Sequence, residues 1–177
     1  MSIAGNADCA VLQKDGKILV AGSFTDSRPF AIVARINSNG SIDSSFGGKG
    51  YSTLAIGNYR GAVIGHGLGM LNDSRIILGG YGADSSDKSA QFLIRLMPDG
   101  SPDTSLGHTG QRFPFNASYT REVIIQPDGK TLICVQGFNG MQAVIRFGLD
   151  GNIDESYGEQ GFAYIPDTFV VATGILL

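Results

Sequence analysis

Apolar residues along the chain fall in short runs separated by turn-forming residues, the pattern of strands rather than helices. Cys9-Ala10-Val11-Leu12-Gln13 is followed by Lys14-Asp15-Gly16, then by the nearly continuous run Lys17 to Ser23. Phe30 to Ile36 is rich in β-branched residues, Asn37-Ser38-Asn39-Gly40 supplies another turn, and Tyr51 to Ile56 forms a further run. These predict a unit of four antiparallel strands whose first hairpin closes through a type I′ Asp-Gly turn. No window shows the i, i+3, i+4, i+7 spacing of an amphipathic helix.

The unit recurs. Asp15 to Gly22 aligns with Asp73 to Gly80 and Asp128 to Val135, and a second block follows each: Ala34 to Gly50, Ile94 to Gly110 and Ile145 to Gly161. Six of the seventeen positions in that block are identical in all three copies, among them Arg35/Arg95/Arg146, Asp43/Asp103/Asp154 and Ser45/Ser105/Ser156. Third strands are expected at Gln91 to Met97 and Gln142 to Phe147, and fourth strands at Gln111 to Phe115 and Phe162 to Ile165. The units run over about 8–62, 63–121 and 122–177 of a single repeat domain. Second and third strands that are apolar on both faces predict sheets sandwiched between neighbours, as in radially stacked blades.

Asp-Gly-Lys followed by three apolar residues and Ala-Gly, then Ala-Arg-x-Asn-x-Asn/Asp-Gly-Ser, resembles the bacterial delta-60 repeat family. The resemblance implies an all-β, β-propeller-type fold and a bacterial surface or secreted setting; it implies no catalytic residue. Propellers have about 4 to 8 blades, so three four-stranded blades per chain predict a six-bladed ring built as a 3+3 homodimer. Phe169 to Leu177 reads as the first strand of a fourth unit. A segment of a longer array is the competing explanation.

Composition narrows the partners. The chain has 177 residues, 26 of them glycine, about twice the usual share, which suits repeated turns and opposes a helical bundle. A 42% hydrophobic content and a net charge of −3 support a packed core. Thirteen basic residues against sixteen acidic ones, without a basic run, argue against a nucleic-acid partner. No apolar stretch approaches the length of a membrane span, and residues 1–6 lack the pattern of a secretory signal. The compartment is left open.

Candidate chemistry is sparse. Arg35/Asp43, Arg95/Asp103 and Arg146/Asp154 come once per unit, as structural bridges do and catalytic groups seldom do. The Asn/Asp turns hold too few carboxylates for calcium, so no metal and no cofactor is expected. Cys9 and Cys134 sit in apolar runs, as buried free thiols would. His66 and His108 occupy non-equivalent positions without a nucleophile motif, and the glycines flanking His66 suit a close inner strand. The connectors Gly57 to Gly61 and Asn116 to Glu122 each place a tyrosine near an arginine, the residue types of binding hot spots. Tyr59, Arg60, Tyr119 and Arg121 are therefore the candidate ligand-binding residues. The expected function is a non-enzymatic binding or scaffold module for a small molecule, carbohydrate or protein. Alternatives are a propeller-type hydrolase or lyase with an axial site, and a purely structural segment.

Overall fold

A computed structural model describes residues 5–24, 30–54, 64–83, 89–106, 117–137 and 141–165. Eleven strands are described: β1 (Gly5–Leu12), β2 (Ile18–Phe24), β3 (Phe30–Ile36), β4 (Tyr51–Leu54), β5 (Ile64–Met70), β6 (Ile76–Ala83), β7 (Ser89–Leu96), β8 (Ala117–Ile125), β9 (Thr131–Gly137), β10 (Gln142–Phe147) and β11 (Phe162–Ile165). Two 3-10 turns, Phe46–Gly48 and Thr104–Leu106, are the only helical elements among the described residues. The strands form three antiparallel sheets in the orders β1-β2-β3-β4, β5-β6-β7 and β8-β9-β10-β11. The protein is all-β with propeller-like blades. The strands expected at 111–115 and 169–177 lie outside the described residues.

Two predicted details are corrected. The Asp-Gly hairpins are not type I′ turns. Gly16 N–H donates to the Gln13 carbonyl at 3.0 Å and Gln13 N–H to the Lys17 carbonyl at 2.8 Å, a three-residue loop in which only Gly16 has positive φ (+81°). Asp15 Oδ1 accepts the N–H of Lys17 (3.1 Å), a local bond that favours the type I geometry. The same loop recurs at 37–41, 71–75, 97–101, 126–130 and 148–152. Second, of the connector expected at 116–122, the described residues 117–122 are strand. Most of it belongs to β8, because Thr120 and the apolar residues after it pair with β9.

Packing explains the missing polar–apolar alternation. One face of the first sheet (Leu19, Ala21, Ala31, Val33, with Phe46 and Leu54) meets Leu68, Ile76, Leu78, Phe92 and Leu96 of the second. The opposite face of the second sheet (Ile77, Leu93) meets Val123, Ile133, Val135, Ala143, Ile145 and Phe147 of the third. Ile76, Ile77 and Leu78 are all buried because the middle sheet is covered on both sides. Each such side chain contributes about 1.5–3 kcal/mol. The first strands of the units are neighbours: β5 lies against β1 on one side and β8 on the other.

Candidate functional site

The end of each third strand and the residues after its turn carry the invariant polar residues. Arg35 Nε donates to Asp43 Oδ2 at 2.8 Å, Arg95 Nε to Asp103 Oδ2 at 2.7 Å, and Arg146 Nε to Asp154 Oδ2 at 2.9 Å. The other carboxylate oxygen accepts the hydroxyl of Ser45, Ser105 or Ser156, each at 2.6 Å. A second cation completes each cluster: Lys17 on Asp43 (2.8 Å), Arg75 on Asp103 (3.0 Å) and Lys130 on Asp154 (2.9 Å). Sequence reasoning missed these cations, although a basic residue stands two positions after the turn aspartate in every copy.

The bonds from Lys17 and Ser45 hold the Asp43 carboxyl well below the usual carboxylate range. Ser105, then Arg75 and Arg95, do so for Asp103, and Ser156 and Lys130 for Asp154. These carboxylates stay ionised at neutral pH, and both oxygens of each are bonded within the protein.

Two of the three arginines also reach the next unit. Arg35 Nη1 donates to the Pro98 carbonyl (2.7 Å), and Arg95 Nη1 to the Leu149 carbonyl (2.9 Å). Gly47 N–H donates to the Asp99 carbonyl at 2.8 Å, and Ser52 Oγ to the Gly100 carbonyl at 2.6 Å. The Phe46 ring, with Arg35 stacked 4.7 Å from its centroid, rests on Gly100. A side chain at Gly100 would strike that ring, so glycine is required there by contact as well as by φ (+88°).

A different pattern marks the first strands of the units, β1, β5 and β8. Each has a β-bulge at the same place, where the ladder register shifts across Asp8, His66 and Arg121. All three stand seven positions before the turn aspartate. Bulges re-aim side chains and concentrate near functional sites. Asp8 Oδ2 is buried without a hydrogen-bond partner among the described residues. Arg121 is exposed, and its Nη2 donates to Gln136 Oε1 at 2.5 Å.

Of the other candidates, Tyr59, Arg60 and His108 lie outside the described residues, and the side chains of Tyr119 and His66 are likewise outside them. Burial, then the charge of Asp8, pushes the Cys9 thiol up to about 11, and burial raises that of Cys134. Neither cysteine forms a disulfide among the described residues. Among the described residues no group of three His, Cys, Asp or Glu is placed to hold a metal ion, and no helix is long and apolar enough to cross a membrane. A cleft of about 450 Å³ opens between the first two units, between Tyr51–Leu54 and residues 99–102. Its rim carries Lys49, whose Nζ stands 4.5 Å over the Tyr51 ring.

The chain is similar to a family described as a domain of unknown function (DUF5122) beta-propeller, matched over residues 13–46 and 71–106. Those segments hold the second and third strands and the Arg–Asp clusters of the first two units. The match supports a propeller-like family and says nothing specific to the delta-60 name. Among solved structures, a protein of unknown function from Bacteroides caccae is similar at 10% identity, over 93% of this chain and 74% of that one, with a TM-score of 0.34. No curated protein matches the chain.

Proposed function

We propose that this protein is a non-enzymatic binding or scaffold module of the delta-60 repeat type, one repeat domain of three units whose ring is closed by a second copy. The observation that carries the binding role is the row of bulges. A common frame repeats in all three units, and the one bulge position common to the three first strands holds a different polar residue in each: Asp8, His66, Arg121. Repetition of the Arg–Asp–Ser cluster serves the frame. Variation at the bulges serves recognition, with Tyr119 and Arg121 of β8 and the Tyr59–Arg60 segment as the contributing groups.

The ligand reading is tested by nuclear magnetic resonance titration with a panel of sugars, small carboxylates and short peptides. A compound that binds is expected to be recovered unchanged, and Arg121→Ala is expected to weaken its binding at least tenfold without lowering Tm. Conversion of the bound compound would overturn the module reading in favour of a hydrolase or lyase. Binding indifferent to Arg121→Ala and to Asp8→Ala would remove the bulges from the site.

A further inference from the structure

We infer that the two ends of the chain carry the two halves of one inter-unit clasp, and that a second copy of this chain completes it through named atoms. The inference rests on the ring reading above and goes beyond it by assigning the seam.

Within the chain the clasp is made twice, by equivalent residues. The arginine of one unit donates to the second residue of the next unit's turn: Arg35 to Pro98, Arg95 to Leu149. The residue three positions after the cluster aspartate packs on that turn's glycine: Phe46 on Gly100, Leu106 on Gly151. At the outer ends both halves stand open. Arg146 keeps its bonds to Asp154 and Ser156, yet among the described residues its Nη1 has no carbonyl to donate to. Tyr157, stacked on Arg146 at 4.5 Å, is half-exposed where Phe46 is fully buried. At the other end Ser38, Asn39 and Gly40 are exposed, and nothing stands within 4 Å of where a Gly40 side chain would begin.

The sheet face beneath that turn agrees. Ile18, Val20, Ile32 and Ile36 of the first sheet remain half-exposed. In the second sheet the face equivalent to theirs, Ile76, Leu78, Phe92 and Leu96, is buried against the first. The open face continues the established packing, with no unit laid against it among the described residues. In the assembled ring, Arg146 of one copy donates through Nη1 to the Ser38 carbonyl of the other, and Gly158 N–H donates to the Asn39 carbonyl, as Gly47 does to Asp99. Tyr157 covers Gly40. Two such seams close six units.

Sedimentation equilibrium of the full chain and two variants tests this. The wild type is expected at the mass of two chains. Gly40→Asn adds a side chain that tolerates positive φ in a place open within one chain but filled at the seam; it is expected to sediment as a monomer with unchanged circular dichroism. Arg146→Lys retains a positive charge beside Asp154 but lacks Nη1, and is expected to raise the dissociation constant at least tenfold. A wild type that is monomeric at micromolar concentration would overturn the ring reading and the seam together. A wild-type dimer unmoved by Gly40→Asn would overturn the seam alone, as would one unmoved by a folded Arg146→Lys. Mass growing without limit with concentration, and abolished by Gly40→Asn, would support the clasp and overturn closure of the ring.

Discussion

At the scale of single residues, turn chemistry sets local stability. Five of the six three-residue turns put glycine at the left-handed position: Gly16, Gly40, Gly100, Gly129 and Gly151. The sixth puts Ser74 there, at φ +69°. A non-glycine residue in that region costs about 1–2 kcal/mol, partly offset by the greater freedom glycine has when unfolded. Ser74→Gly is therefore expected to stabilise the fold by about 0.5–1 kcal/mol, read as a higher Tm by calorimetry; an unchanged or lower Tm contradicts the strain. The thiols give a second test at this scale. Burial holds Cys9 and Cys134 protonated, so alkylation by iodoacetamide at pH 8 is expected to be much slower in the native than in the urea-unfolded chain. Equal rates would contradict the burial.

At the scale of the element, the Arg–Asp–Ser cluster ties the second and third strands of a unit to the loop that follows. Asp43, Asp103 and Asp154 are all lowered by their hydroxyl and cation partners. A lowered folded-state pKa stabilises the fold above the unfolded value of about 4, and that contribution is lost as pH falls toward the folded value. The clusters therefore predict a Tm that is flat from pH 7 to 5 with respect to these groups and declines below about pH 4. Asn at all three positions should lower the Tm at pH 7 and flatten the acid decline. A decline of undiminished steepness in that triple variant would assign acid sensitivity elsewhere. In the most enclosed cluster, Arg95 and Asp103 are both under one-tenth exposed. Asp103→Asn there leaves Arg95 and Arg75 facing a neutral amide, at an expected cost of about 2–3 kcal/mol in urea unfolding.

At the scale of the whole molecule, three sheets stack through faces that are apolar on both sides of the middle one. The contact between units is both a packed core and a set of directional bonds from Arg35, Arg95 and Gly47 to turn carbonyls. The turn at 38–40 is exposed, and among the described residues Arg146 Nη1 makes no such bond. Deleting Arg35 Nη1 by Arg35→Lys should loosen the first unit from the second inside one chain. Faster hydrogen exchange in β2 and β3 than in β9 and β10 is the expected outcome; a uniform change would place the effect elsewhere.

The strand pattern, the repeat and the Arg–Asp positions were legible in the sequence, because each depends on spacing along one strand or across one short turn. The hairpin turn type is not legible: Asp-Gly fits either geometry, and the choice depends on the bond that the Lys17 N–H donates to Asp15 Oδ1. Lys17, Arg75 and Lys130 went unnoticed because their aspartates lie 26, 28 and 24 residues away and meet them only in the folded unit. The bulges at Asp8, His66 and Arg121 have no sequence mark, since a bulge is a mismatch between two strands. The sequence by itself determined what a unit is: four strand-like runs, glycine turns and one Arg–Asp–Ser set, all local consequences of residue order. Only the tertiary structure decided how units meet. That contact rests on an arginine from one unit finding a carbonyl in the next, and on a bulky side chain resting on the next turn's glycine, both properties of sheets laid face to face.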